Sequence, residues 1–423
     1  MDGINEKLTV PQSDEIEVTL IGGTSGYGES ILIHIGDGDW IVVDSCVNAQ
    51  TGDCVPLTYL EELEVDVAEH LLYVICTHWH EDHIKGLSKI MEKCTSKTVF
   101  AISCSDDREK FVYELLQDYN YDGKSVKLQE LTQSLKLAEA NHIVVQRLKQ
   151  NEFIFNRKGV QAYALSPSEK VVKKFEEELA TAQKNYQKVL KQLLELKTKD
   201  PNTIEDAQNL EKDTIDSFKQ LIKESIDEES IIEETESLLK YKDTKKIEPN
   251  DRCVTIQVTF NNHHIILGAD LENHPSPNGM MGWMDVAASP SLNGVTSSLF
   301  KIPHHGSETG YCEYFLKKFI KTDAVMKLTA WIRGDKVVPE KEMLLKYYNH
   351  SPNLYVSTTS MFKKGNNEED VSIRKQMDNT TDLIYEIKPQ LGIIRSRINK
   401  NSFDDIWKTE YFGSAEKISS KHF

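Results

Sequence analysis

"VICTHWHEDHIKG", residues 74–86, sets His78, His80, Asp82 and His83 within six positions. The run leading into it, "HLLYVICTH", is nearly all apolar and of strand length, which predicts a strand buried on both faces. Beyond it, "KGLSKIMEKC" has helical spacing. Imidazole and carboxylate groups in a loop at a strand tip can aim several lone pairs at one point. That donor set suits Zn²⁺, and its carboxylate-rich forms also accept Mn²⁺ or Fe. Trp79, inside the loop, is expected to pack beneath it. One segment cannot close a metal site, so further ligands must come from elsewhere.

Upstream, "EIEVTLIG" alternates apolar and polar residues, and "SILIHIGDGDWIVVDSC" reads as two strands around a "GDGD" hairpin signal. Hairpin, buried strand, ligand loop and helix in this order indicate α/β or α+β layering. Downstream, two segments repeat the placement of polar ligands at a strand tip. Asp270 ends "HHIILGAD", where a carboxylate can bridge two cations. His304 and His305 follow the strand-like run in "LFKIPHHGSETG". Four clustered ligands can serve two ions if these distant groups complete the shells.

The chain has 423 residues, 39% hydrophobic and 28% charged, with a net charge of -17. That length suggests one large domain with insertions, or two domains. The acidic balance argues against broad binding of duplex nucleic acid, which needs a basic face. It leaves room for a small phosphorylated substrate drawn to a metal ion. The N-terminus, "MDGINEKLTVPQSDEIEV", lacks the apolar core of a signal peptide. No stretch approaches the roughly 20 apolar residues of a membrane span. The seven cysteines are scattered and form no CxxC. Reduced thiols in a cytoplasmic protein are therefore expected, with no membrane partner.

From Ser168 to Lys246 the composition turns to Glu, Lys, Leu, Gln and Ile, without glycine. Phe175, Leu179, Ala182, Tyr186, Val189, Leu190 and Leu193 form one helical stripe. Ile204, Leu210, Ile215, Phe218, Ile222 and Ile226 form a second, after the break "KDPNT". This predicts an antiparallel helical hairpin with a coiled-coil-like seam. It is either a solvated structural insertion or an arm for a protein partner or self-association. The expected organisation is a first part of the main domain at 1–167, the insertion at 168–246, a second part at 247–320, and a portion completing or extending it at 321–423. In "CVTIQVTFNNHHIILGAD" the "NN" marks a turn, with His263 and His264 expected in it and facing solvent. "GGTSGYGES", residues 22–30, is either a phosphate-cradling loop or a tight turn, and it has no Walker lysine.

His78-Trp79-His80-Glu81-Asp82-His83 resembles the HxHxDH signature of the metallo-β-lactamase superfamily. Asp44 in "WIVVDSC", "ILGADLE" and "KIPHHGS" resemble its other motifs in the right order. "ALSPS", "NDRCVTIQVTF", "LGADLE" and "FKIPHHGS" are similar to the hydrolase domain of DNA-uptake competence proteins. The helical insertion, and the chain from about Ile320 onward, fall outside the resemblance. It implies an α+β fold, the metallo-β-lactamase αββα sandwich, interrupted by the helical hairpin. It also implies two divalent ions, Zn or Mn. His78 and His80 would hold the first; Asp82, His83 and one of the His304–His305 pair the second, with Asp270 bridging. His304 is favoured as ligand and His305 as general acid. Asp44 would orient the ligand loop, and Ser25 or Tyr27 would touch substrate. Many relatives place another histidine between the first motif and the bridging aspartate. Only His142, His263 and His264 are available there, and His142 is the weak candidate.

The expected chemistry is hydrolysis by water activated between two cations. A phosphodiesterase or nuclease acting on a nucleotide or nucleic-acid end is favoured. The alternatives are a lactone, thioester or β-lactam hydrolase, or a partner-docking component with a structural metal.

Overall fold

The computed structural model describes residues 8–23, 28–49, 51–105, 126–178, 180, 247–276, 279–333, 336–358, 391–402 and 406–423. The chain divides into two compact units. One comprises Met1–Cys104, Val126–Glu169 and Pro249–Phe423; the other comprises Ser105–Ser125 and Lys170–Glu248.

The larger unit begins with the strands β1 (Glu15–Gly23), β2 (Glu29–His34), β3 (Trp40–Val43), β4 (Leu71–Cys76), β5 (Val99–Ser103), β6 (Val144–Leu148), β7 (Phe153–Arg157) and β8 (Val160–Ala164). It continues with β9 (Ile256–Phe260), β10 (His263–Leu267), β11 (His274–Ser276), β12 (Gly279–Met281), β13 (Ser297–Lys301), β14 (Ile320–Leu328), β15 (Trp331–Arg333) and β16 (Lys336–Val338). The last strands are β17 (Leu354–Val356), β18 (Leu391–Asn399), β19 (Lys408–Gly413) and β20 (Glu416–Lys417). Its helices are α1 (Val55–Glu62), α2 (Val67–His70), α3 (Glu81–Ile84), α4 (Leu87–Lys93), α5 (Val126–Ala140), α6 (Trp283–Ala287), α7 (Glu313–Phe319) and α8 (Lys341–His350).

Two eight-stranded sheets result. The first runs β19-β18-β1-β2-β3-β4-β5-β6, and the second β20-β17-β14-β13-β10-β9-β8-β7. Alternation along β1 explains how they stack. Ile16, Val18 and Leu20 enter a core shared with Ile33, Val43 and Ile75 of the first sheet and Ile256, Val258, Ile265 and Leu299 of the second. Burying each such side chain contributes roughly 1.5–3 kcal/mol. Glu17 on the opposite face is buried, and Tyr59 Oη (2.7 Å), Thr19 Oγ1 (2.8 Å) and Arg397 Nε (2.7 Å) donate to it. On the outer face of the second sheet, Phe300, Met326 and Leu328 share a core with Trp283 of α6, Phe315 of α7 and Leu344 of α8. Helices α1 and α2 contact β2 and β4 of the first sheet. The layers are helix, sheet, sheet, helix.

Each sheet has a parallel block: β3, β4, β5 and β6 running to one edge of the first, and β10, β13, β14 and β17 within the second. The C-terminal segment supplies strands to both sheets. β18 lies antiparallel to β1 from Glu15↔Asn399 to Gly23↔Leu391, while β20 pairs with β17.

The β9–β10 hairpin turns at Asn261 and Asn262, but Phe260 pairs with His263. His263 is therefore a strand residue, buried and stacked on Phe260 with ring centroids 5.2 Å apart. His264 is partly buried. The expectation that both face solvent from the turn is corrected: two asparagines suffice for the reversal, and the histidines extend the ladder.

In the smaller unit the chain is helical over 170–178, and Ile247 N donates to Glu178 Oε2 at 3.1 Å. The rest of the predicted hairpin and its coiled-coil seam lie outside the described residues. Among those described, no helix is long and apolar enough to cross a membrane.

Candidate metal centre

The C-terminal ends of β3, β4, β10 and β13 meet at one edge of the sandwich, the usual address of a ligand site in parallel sheets. β3 delivers Asp44 in a left-handed conformation (φ 60°). Its carboxylate accepts from Thr77 N and Thr77 Oγ1, both at 2.7 Å, and from His83 Nδ1 at 2.8 Å. These bonds tie the loop after β4 to the end of β3. His78 and His80 lie in that loop, and His83 follows on α3, whose N-cap is His80. Trp79 is buried beneath.

From the second sheet, Asp270 leaves β10 through Gly268 and Ala269, the latter at φ 44°. A Cβ on Gly268 would lie 2.8 Å from the Lys301 carbonyl, so the tight passage requires glycine. His304 and His305 form a short 3-10 turn after β13, with φ of 43° and 54°.

Hydrogen bonds fix which nitrogen each histidine presents. The single proton of the Thr77 hydroxyl goes to Asp44, so Thr77 Oγ1 accepts from His78 Nδ1–H at 3.0 Å. His83 Nδ1–H goes to Asp44, and His305 Nδ1–H goes to the Thr329 carbonyl at 3.0 Å. All three rings therefore turn Nε2 inward, where each neutral ring would offer its lone pair. These atoms surround Asp270 Oδ2, at 3.2 Å from His83, 3.5 Å from His305 and 4.0 Å from His78. His80 joins through Nδ1, 3.1 Å from His78 Nε2. Asp82 Oδ2 lies 3.3 Å from His305 Nε2.

One ligand atom each from Asp82, His83, Asp270 and His305 lies within 4.8 Å of the other three. His83 Nε2, His305 Nε2 and Asp270 Oδ1 are buried without a hydrogen bond. Buried polar atoms normally have partners, and convergent orphans of this chemistry fit a divalent cation.

The electrostatics agree. Burial alone would lower His83, yet Asp270, Asp44 and Asp82 raise it well above the usual imidazole value. Burial works to raise Asp270, but His83, His305 and Lys301 hold it well below the carboxylate range. Asp82 is likewise lowered, by His83 and His305 against the effect of burial. Burial, with His83 and His80 nearby, lowers His78. The pocket attracts positive charge at its carboxylates and keeps the His78 ring neutral.

The structure brings together His78, His80, Asp82, His83, Asp270 and His305, with Asp44 behind them. It separates the histidine pair differently from the expectation. His305, not His304, faces Asp82, His83 and Asp270, because the two residues are left-handed in succession and their rings diverge. His304 Nδ1 lies 2.9 Å from Glu272 Oε1 and 2.9 Å from Ser307 Oγ, at the rim. His142 is exposed in the turn after α5 and takes no part in the cluster. Ser25 and Tyr27 lie outside the described residues.

Four participants were not picked out from the sequence. Asn250 Nδ2 donates to Glu272 Oε1 at 2.9 Å and lies 3.4 Å from His304 Nε2. Lys301 and Glu29 form a fully buried ion pair beside Asp270. Asn250, Glu272 and Lys301 all sit inside quoted motifs, so their neighbourhood was signalled although their roles were not. An open cleft of about 1140 Å³ leads to the cluster. Its inner wall includes His80, Asp82, Asp270, His304 and His305. Its outer wall is the β15–β16 ribbon with Trp331 and Lys336, and α8 with Lys346.

A helix-sheet-sheet-helix sandwich with His, Asp and His donors converging at its strand tips defines a metallohydrolase scaffold. Residues 23–99 match the sequence model of the metallo-β-lactamase superfamily, and the chain has the metallo-β-lactamase fold. Superfamily proteins are generally hydrolases that use divalent metals. Similar solved structures include the metallo-β-lactamase fold protein YhfI from Bacillus subtilis, at 12% identity over 68% of this chain and 70% of that one (TM-score 0.29). A Cronobacter sakazakii metallo-β-lactamase, a HARLDQ motif mutant, is 11% identical over 64% and 70% (TM-score 0.30). Human tRNase Z, short form, is 10% identical over 67% and 76% (TM-score 0.27). No curated protein matches the sequence.

Proposed function

We propose that the protein is a metal-dependent phosphodiesterase or nuclease acting on a nucleotide or a nucleic-acid end. The observation that carries this reading is the convergence of Asp82, His83, Asp270 and His305 ligand atoms within 4.8 Å. His78 and His80 would hold one divalent ion, and Asp82, His83 and His305 a second, with Asp270 between them. Zn²⁺ and Mn²⁺ both fit these donors. When bound, such ions activate water at neutral pH and neutralise charge on the group being transferred.

The chain's own residues supply the rest. Asp44, Thr77 and the Thr329 carbonyl hold three Nδ1 protons in place, so each Nε2 stays available. His304 stands at the rim as proton donor to the leaving oxygen through Nε2, with Glu272 holding Nδ1–H. Lys85, Lys336 and Lys346 line the cleft, interleaved with Glu81, Glu340 and Glu342. That pattern suits one or two phosphates rather than a long duplex, which needs continuous positive charge. Trp331 offers a flat surface for a base. The likeness of "NDRCVTIQVTF", "LGADLE" and "KIPHHGS" to the competence-protein hydrolase domain supports the same chemistry.

The test is hydrolysis of a chromogenic phosphodiester by protein reconstituted separately with Zn²⁺ and Mn²⁺, with Asp82→Ala as control. Turnover that vanishes in the variant is expected. Absence of turnover with metal bound would move the assignment to lactone or thioester hydrolysis.

A further inference from the structure

Among the described residues, Lys301 and Glu29 are a fully buried ion pair whose partners come from different sheets. Glu29 starts β2 of the first sheet and Lys301 ends β13 of the second. Each is 1% exposed, and Lys301 Nζ contacts Glu29 Oε1 directly. Burying two charges is costly unless the geometry satisfies them, and a cross-sheet tie is one such return. The position of the pair suggests a more specific role.

Lys301 Nζ also donates to the Ala269 carbonyl at 3.2 Å and lies 3.9 Å from Asp270 Oδ1. Ala269 is the left-handed residue that turns Asp270 into the site. Its carbonyl takes a second hydrogen bond, from His304 N at 3.0 Å, which joins this turn to the histidine turn. The two oxygens of Asp270 thus have different surroundings. Oδ2 faces three imidazole nitrogens, whereas Oδ1 has no hydrogen bond and faces the ammonium.

We propose that Lys301, held by Glu29, is a positioning residue that fixes the rotation of Asp270, so that Oδ2 stays turned to the histidine nitrogens that would hold metal with it. This rests on the reading of Asp270 as a bridging ligand. Without the ammonium, Asp270 would be free to turn about its side-chain bond, and the donor set would suit one of the two ions less well. Lys301 touches neither substrate nor metal in this role; it acts through Asp270 and through the Ala269 carbonyl.

The test compares wild type, Lys301→Met and the double variant Glu29→Gln with Lys301→Met, using full-length protein. The single variant leaves Glu29 buried and unpaired, so it can fail to fold. The double variant removes both charges, which keeps folding separable from positioning. Zn²⁺ and Mn²⁺ stoichiometry and affinity are measured by competition with a chromogenic chelator, beside the melting temperature of the metal-free protein. The expected result is a double variant that melts near the wild type but binds one of its two ions about 10- to 100-fold more weakly. A double variant with wild-type affinity at both sites overturns the proposal and leaves the pair as a fold tie. Wild-type protein that takes up neither metal refutes the metal reading itself, and this assignment with it.

Discussion

Replacing Asp44 by Asn changes one oxygen to an NH₂ group and leaves shape almost untouched, yet it should turn histidine rings around. The carboxylate accepts three hydrogen bonds, at 2.7, 2.7 and 2.8 Å. An amide has one acceptor. If its oxygen stays on Thr77 N–H, its NH₂ meets Thr77 Oγ1 and His83 Nδ1. Two donors cannot face each other, so His83 must move its proton to Nε2 and lose the lone pair aimed at Asp270. The Thr77 hydroxyl, freed from Asp44, can then donate to His78 Nδ1, 3.0 Å away, and shift that ring's proton to Nε2, facing the site, as in His83. Loss of such an outer partner weakens metal binding about 10- to 100-fold, or roughly 1.4–2.8 kcal/mol. Burial holds the Asp44 carboxyl above its usual pKa range despite His83 and Thr77. The assay pairs chelator competition with imidazole ¹⁵N NMR of the Zn²⁺-loaded protein. Unchanged affinity, with His83 still protonated at Nδ1, would refute the reasoning.

Gly28→Ala should abolish metal loading, because φ is +99° and the new Cβ would lie 2.1 Å from the Asp82 carbonyl oxygen; metal content with circular dichroism checks it. His304→Gln should leave metal content unchanged but slow hydrolysis of esters with poor leaving groups by about 10²-fold or more, with a much smaller effect on nitrophenyl esters. Equal slowing of both would remove His304 as the acid. Lys327 is buried, with Nζ donating to the Val18 and Ile394 carbonyls at 2.5 and 2.9 Å, and burial depresses its pKa well below the lysine value. The folded amine therefore gives up its proton at lower pH than the unfolded one, which is charged below about pH 10.4. The unfolded state therefore binds more protons, and stability rises with pH through that window. Lys327→Met should flatten the rise between pH 8 and 10 in chemical-denaturation curves; an undiminished slope would mean that Lys327 is charged in the fold.

The ligand loop could be read from sequence because chemistry and strand pattern coincide there. An apolar run predicts a buried strand, and the first polar residues past its tip are the ones that can gather. The same logic located Asp270, whereas Asp44 came from the resemblance of "WIVVDSC" to a family motif. That logic could not separate His304 from His305, which share a turn. Their ring directions depend on two left-handed residues and on the carbonyl of Thr329, which belongs to the end of another strand. His263 was misplaced because one strong turn signal, "NN", was extended to its neighbours. Glu29 and Lys301 look like ordinary surface charges at strand ends; only the stacking of the sheets makes them partners. The strand character of "LGIIRSRIN" was legible, but its pairing with β1 was not, since register between distant segments leaves no local mark. The helical insertion fell mostly outside the described residues.

The proposed metal ligands are divided between the two sheets, His78, His80, Asp82 and His83 on the side of one and Asp270 and His305 on the side of the other. An ion at this site is therefore a rivet through the sandwich as well as a reagent. Its binding free energy adds to the cohesion of the fold as RT ln(1 + [M]/Kd), about 2.7 kcal/mol when free metal exceeds Kd a hundredfold. The lifetime of the folded chain would then track the metal supply of its surroundings.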